Sequence, residues 1–143
     1  MKEINGDIWD YHKKGYWVVI TTNGYIRKDG ACVMGRGVAK EAARKFPMLP
    51  FEIGRSIQQF GNHVFACNPD TRIIAFPVKH NWWEKADIQL IERSCQELAE
   101  FPQELTYYMV RPGCGNGGLD WLDVKPVLKR YLDDRFIVVE RYG

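Results

Sequence analysis

Residues 16–47 read YWVVITTNGYIRKDGACVMGRGVAKEAARKFP, and the reading of this stretch decides the fold. Its opening, YWVVITT (16–22), is aromatic or β-branched at every position and lies between Gly15 and Asn23-Gly24. Such a run fits a strand buried on both faces, since it offers no polar side to water. A loop punctuated by glycine follows as far as Gly35 and Gly37. Residues 38–46 then supply strong helix formers, and Pro47 stops them. Strand, glycine loop and helix in that order are the repeating unit of an α/β protein.

Outward from there the pattern recurs. Residues 50–60 suggest a helix of weaker periodicity. HVFAC (63–67) and RIIAFPV (72–78) are expected strands, parted by the turn residues Asn68, Pro69 and Asp70. Between Asp87 and Phe101, Ile88, Ile91, Cys95 and Leu98 fall at helical spacing and predict an amphipathic helix. LTYYMV (105–110) and RFIVVE (135–140) read as strands, with a helix over 124–132 between them. Strands that alternate with helices imply a mostly parallel sheet covered on both faces. The expectation is a three-layer α/β domain spanning 1–143 as one unit, with no internal repeat.

A chain of 143 residues can bury a core without covalent staples. Its net charge of +2 neither demands nucleic acid nor forbids an anionic ligand. No apolar run nears the ~20 residues of a membrane span. The N-terminal MKEINGDIWD lacks a signal peptide's apolar stretch, so an intracellular, cytoplasmic chain is expected. Cys32, Cys67, Cys95 and Cys114 form no CxxC pair, and His12, His63 and His80 show no metal-binding spacing. Reduced thiols and no metal are expected, and the compact size suits a monomer.

Ligands of open α/β sheets bind beyond the carboxyl ends of the strands. Two glycine-rich stretches follow expected strands, NGYIRKDGACVMGRG (23–37) and RPGCGNGG (111–118), and so emerge on one side. Together they can present backbone N–H groups to a polyanion, with no side chain in the way. The first also leads into a helix N-terminus, which favours phosphate. A single loop of this kind reads equally well as a tight turn. Neither ends in GK[ST], which excludes a Walker A loop, and GRGVAK lacks the third glycine of the dinucleotide fingerprint.

Asp120 follows the second loop. A helix capped there would carry Pro126 at its sixth residue, where the ring removes a hydrogen bond and clashes with the preceding turn. Capping by Asp123 would place Pro126 at the third residue, among amides with no intrahelical partner. On this argument Asp123 caps the helix and Asp120 is free to face a ligand.

These residues resemble the macro domain family, whose members bind ADP-ribose, and the likeness runs through most of the chain. GDIWD (6–10) is similar to the family's N-terminal Gly-Asp-Ile segment, implying that Asp7 contacts the adenine amino group with Ile8 beside it. VVITTNG (18–24) resembles the segment whose Asn contacts the distal ribose, here Asn23. VMGRGVAKEAARKFP (33–47) resembles the first phosphate loop and its helix, with Met34, Gly35, Arg36, Gly37 and Val38 as expected contacts. RPGCGNGGLDW (111–121) resembles the second, with Gly113, Cys114, Gly115, Asn116, Gly117, Gly118 and Leu119. The implied fold is a three-layer α/β/α macro domain with a mixed, mostly parallel central sheet.

Within the family the likeness is nearest to the branch of the terminal ADP-ribose protein glycohydrolase and the DNA ADP-ribosyl glycohydrolase antitoxins. That branch carries an FPxK-like segment with a catalytic lysine, and a catalytic Asp after the second glycine loop. Here these would be Lys79 in AFPVKHNWW (75–83) and Asp120 in GGLDW. The Asn-Ala-Ala-Asn and triple-glycine loop of the other hydrolytic branch is missing. The resemblance therefore implies an ADP-ribosyl glycohydrolase that needs no cofactor, acting on ADP-ribosylated DNA or protein. Lys79 would attack the distal ribose C1″ to form a covalent adduct, and Asp120 would shuttle protons. Lys79 must be partly neutral to do so, which requires burial or cationic neighbours.

Other residues stay open. Trp82 and Trp83 suit pocket lining or base stacking, and equally core or rim packing. Arg36 suits a phosphate or solvent, and His80 beside Lys79 suits a charge-tuning role or plain exposure. Cys114 reads as a small loop residue. Basic residues 40, 44 and 45, and 125, 129 and 130, could touch nucleic acid, but also fit solvated helix faces. A non-catalytic ADP-ribose reader and an ADP-ribose 1″-phosphate phosphatase are the competing functions.

Overall fold

Side chains of the central strands point alternately to two separate cores. Val18 and Ile20 enter one and Val19 the other; Ile73 and Ala75 oppose Ile74, Phe76 and Val78. This is the period-2 alternation of a sheet buried on both faces. The computed structural model describes residues 1–141. Its strands are β1 (Lys2–Asn5), β2 (Trp17–Asn23), β3 (Phe65–Ala66), β4 (Ile73–Lys79), β5 (Tyr107–Met109) and β6 (Phe136–Glu140). They form one six-stranded sheet of order β1-β6-β5-β2-β4-β3. All neighbours are parallel except β3, which runs antiparallel to β4. The sheet is mixed and mostly parallel, as the sequence implies.

Among the described residues five helices cover it: α1 (Ile8–Lys13), α2 (Gly37–Lys45), α3 (Leu49–Phe60), α4 (Ile88–Leu98) and α5 (Trp121–Tyr131). Residues of α1, α2 and α3 (Ile8, Ala42, Leu49, Ile53) pack into one core. Those of α4 and α5 (Ile91, Cys95, Leu98, Val124, Leu128) pack into the other. Three layers result. Among the described residues no helix is long and apolar enough to cross a membrane.

Three details depart from the sequence reading. β1 and α1 are elements it did not find. The expected strand 63–67 shrinks to Phe65–Ala66 because Glu97 of α4 captures its start: Glu97 accepts from the Val64 amide at 2.9 Å and lies 2.7 Å from His63 Nδ1. The third is the cap of α5. Asp120, not Asp123, is the N-cap, and its Oδ1 accepts from the Leu122 amide at 2.9 Å. Pro126 lies inside the helix after all. Its ring is on the exposed face, and the carbonyl it deprives, that of Leu122, belongs to a residue 79% exposed, where water can serve it.

Candidate functional site

The carboxyl ends of β5, β2 and β4, side by side in the sheet, converge on one cavity of about 770 Å³. The loop after β2 forms one wall. Asn23 staples its two ends, donating Nδ2 to the Val33 carbonyl at 2.9 Å and accepting from the Tyr25 amide at 2.9 Å. The loop is also docked on α3, where the Cys32 amide donates to the Pro50 carbonyl at 2.9 Å. It then runs through Met34, Gly35 and Arg36 into α2. Arg36 is the N-cap residue there and makes no side-chain cap, so the first amides of α2 have no side-chain acceptor from it.

The loop after β5 forms the facing wall through Gly113, Cys114, Gly115, Asn116 and Gly117. It is folded tightly on itself, with the Leu119 amide donating to the Gly113 carbonyl at 2.9 Å. Its glycines divide into two kinds. A Cβ on Gly117 would lie 2.4 Å from the Gly113 carbonyl oxygen, and one on Gly113 2.8 Å from Ile91, so the fold itself requires those two. A Cβ on Gly115, or on Gly35 in the opposite wall, would meet nothing within 4 Å. Neither has a left-handed backbone, so nothing internal to the protein demands glycine at either place.

Lys79 ends β4 and faces the cavity. It gets there through an irregularity. Thr22 pairs with Pro77, but Asn23 pairs with Lys79, so the ladder slips a residue just past the proline, which has no N–H to give. The Nζ of Lys79 donates to the carbonyls of Asn116 at 3.3 Å and Trp82 at 3.4 Å. Partial burial, and then the positive charge of Arg36, hold its pKa below the ordinary lysine value. A raised neutral fraction at an amine lining a cleft suits a nucleophile.

The other residues singled out in the sequence are placed as follows. Asn23, Met34, Gly35, Arg36, Gly37 and Val38 line the cavity, as does Trp82; Gly118 and Leu119 do not. Asp7 and Ile8 also lie outside its walls. Asp7 caps α1 by accepting from the Trp9 amide, and Ile8 is buried. Asp7 pairs with Arg141, a wall residue 3.6 Å away. Asp120 is exposed and not a wall residue, but its charge is felt at Cys114. Burial pushes that thiol up to about 11, with Arg111 opposing and Asp120 adding to the rise. His80 lies 2.9 Å from Asp87 Oδ2, turned to a surface partner. Two of the basic helix residues are likewise engaged, Lys125 with Glu3 and Arg130 with Glu92.

The sequence reading missed Arg111, Glu140 and Arg141, all wall residues. Arg111 stacks over Trp121, 4.9 Å from its centroid, and pairs with Glu140 at 2.9 Å. The signal was available: Arg111 lies just beyond β5, and Glu140 and Arg141 lie at the end of β6, where strand carboxyl ends meet ligands. No group of acidic, His or Cys residues suited to a metal is found among the described residues.

A mostly parallel three-layer sheet with two glycine loops over one cleft is the architecture of macrodomains. The comparisons agree. The macrodomain of Mycobacterium tuberculosis DarG superposes with a TM-score of 0.75 at 22% identity, covering 96% of this chain and 95% of that one. The macrodomain of Thermus aquaticus DarG gives 0.71 at 25% identity, covering 96% and 95%. Thermosipho africanus DarTG in complex with ADP-ribose gives 0.74 at 21% identity, covering 99% of this chain and 42% of that one. A curated protein of Thermosipho africanus, a DNA ADP-ribosyl transferase-DNA ADP-ribosyl glycohydrolase fusion, is 27% identical over 165 aligned residues. The alignment takes in 97% of this chain and 40% of that relative's length. No protein-family model matches. The chain is a macrodomain by fold, and DarG macrodomains are among its relatives.

Proposed function

We propose that the cavity binds ADP-ribose and that the chain is an ADP-ribosyl glycohydrolase. The observation that carries the reading is the pair Gly35 and Gly115, one in each wall, where the fold leaves room for a side chain and the sequence supplies none. A backbone kept bare without an internal reason is a backbone that something must approach. Facing loops with free amides suit a diphosphate, the α2 N-terminus and Arg36 add positive potential, and about 770 Å³ is ample for a nucleotide-sized ligand. The Thermosipho relatives, one named for DNA ADP-ribosyl glycohydrolase and one holding ADP-ribose, make that ligand the natural candidate.

In the reaction, the neutral amine of Lys79 attacks C1″ of the distal ribose. A C–N bond forms as the bond to the leaving group breaks, and Asp120 gives the leaving group its proton. Water then releases ADP-ribose from the adduct, with Asp120 taking the proton back. The cap uses Oδ1 of Asp120, which leaves Oδ2 for this work. Asp120 lies outside the cavity wall, just after the loop whose Cys114 feels its charge.

Lys79→Ala tests the proposal. Release of ADP-ribose from ADP-ribosylated DNA should be lost, and calorimetry should still find free ADP-ribose bound with a Kd within about threefold of wild type, since the diphosphate contacts remain. Affinity that collapses with the amine would remove the nucleophile role. The engagement of Asp120 as a cap favours a second reading, a non-catalytic ADP-ribose reader. That reading wins if wild type releases nothing from modified DNA, modified protein or ADP-ribose 1″-phosphate.

A further inference from the structure

The end of β4 that carries Lys79 is held from outside the cavity. Ser94 of α4, fully buried, donates Oγ to the Pro77 carbonyl at 2.7 Å, and the Asp87 amide donates to the Val78 carbonyl at 2.9 Å. The Lys79 carbonyl has two donors, the Gly24 amide at 3.2 Å and Asn62 Nδ2 at 3.0 Å. Asn62 lies in the turn after α3 and is not a wall residue. That turn is gripped by α4: Arg93 donates to the Asn62 carbonyl, and Glu97 holds the Val64 amide and His63. The Asn62 amide also fills the space beside Gly24, where a Cβ would lie 2.8 Å from its Cγ and Nδ2. It therefore sits between the ends of β2 and β4, at the slip in the ladder that brings Lys79 to the cavity.

Satisfying the backbone does not require this residue, because the Gly24 amide already serves the Lys79 carbonyl. Nor do the amine's own bonds hold it firmly. Its two acceptors, at 3.3 and 3.4 Å, lie beyond the usual N–H···O range of about 2.7–3.2 Å. A lysine stem is long and flexible, so the line on which Nζ approaches a substrate depends on where the backbone starts it. We infer that Asn62 is a positioning residue for Lys79: by holding the Lys79 carbonyl against the end of β2, it aims the amine into the cavity without touching the ligand. This deepens the proposed function and rests on it. A misplacement of about 1 Å can cost about a hundredfold in rate, and a loosely bonded amine on a loose backbone would suffer one. Gly24 belongs to the same device, since the Asn62 amide occupies the place of its missing side chain.

The test separates aim from stability. Asn62→Ala keeps the grip of α4 on the turn, which runs through the Asn62 carbonyl and Glu97. With whichever of modified DNA, modified protein or ADP-ribose 1″-phosphate wild type cleaves, kcat should fall about tenfold or more, while calorimetry finds free ADP-ribose bound within about twofold of wild type. Gly24→Ala, which drives a methyl group into the Asn62 amide, should reproduce the fall, and the two changes together should cost little more than either alone. A second readout needs no turnover. By NMR of the lysine Cε groups, Lys79 should titrate below the surface lysines in wild type, owing to its burial and then to Arg36. In Asn62→Ala it should move up toward them as the amine leaves that place. A lowered melting temperature with kcat and the Lys79 titration unchanged would make Asn62 a structural residue only and overturn the proposal. Affinity lost in step with kcat would mean that the cavity itself has moved, which overturns it too. Should Asn62→Ala not fold, Gly24→Ala is read by the same measurements. A wild type that cleaves none of the three substrates overturns the glycohydrolase reading, and the Lys79 titration then decides on Asn62 alone.

Discussion

Asp120 spends one carboxylate oxygen on the first turn of α5, and its charge is felt at Cys114 in the second glycine loop. The observed cap and the proposed acid-base role can be separated by a single atom. Asn caps a helix about as well as Asp, so Asp120→Asn should leave the melting temperature where it is, while Asp120→Ala should cost about 1 kcal/mol. As a general acid and base the group is worth roughly a hundredfold or more in rate, which both variants should lose. Full hydrolysis by Asp120→Asn would make the residue a cap and nothing else. The cap was misassigned to Asp123 because a proline at the sixth residue of a helix was taken to be excluded, whereas Pro126 stands there. Pro126 and Leu122 both lie on the exposed face of α5, and exposure is not visible in a list of residues. Lys79 was singled out through the resemblance of AFPVKHNWW (75–83) to an FPxK-like segment; its lowered pKa was not legible, since that depends on burial and on an Arg36 brought in from another loop.

Elements with strong periodicity were readable: β2, β4 and α4 lie close to where their side chains predict. β1 was not. Its four residues, KEIN, are mostly exposed at the sheet edge and paired only to β6, so tertiary pairing rather than local propensity makes the strand. The six-residue α1 is likewise too short to show a period. α3 gave a weak pattern partly because of Gly54, and the fold supplies the reason for it. A Cβ there would lie 2.0 Å from the Gly30 carbonyl oxygen, in the loop that walls the site. Gly54→Ala should therefore lower stability by the upper end of roughly 1–3 kcal/mol, read by urea unfolding, and weaken ligand binding as the loop is pushed off α3. A variant as stable as wild type would show that the loop moves freely on its helix, contrary to the docking described.

At the scale of the molecule, a sheet of order β1-β6-β5-β2-β4-β3 makes neighbours of three strands that are far apart in the chain. Their carboxyl ends deliver one glycine loop, a second and a lysine to the same cavity, and both cores serve to hold those ends in register. That the two loops emerge on one side of the sheet was legible, because each follows an expected strand of a mostly parallel sheet. The part that Arg111, Glu140 and Arg141 play in the wall was not, because it depends on β6 lying beside β5. The central claim is that the bare backbone of both walls exists for ADP-ribose. Titration calorimetry of free ADP-ribose with wild type and with the Gly35→Ala, Gly115→Ala double variant addresses it most directly. Wild type should bind one equivalent, and the double variant should bind at least about tenfold more weakly while melting no lower, since the added methyl groups meet only the ligand. Equal affinity in the two proteins, or no binding by wild type, would contradict the account.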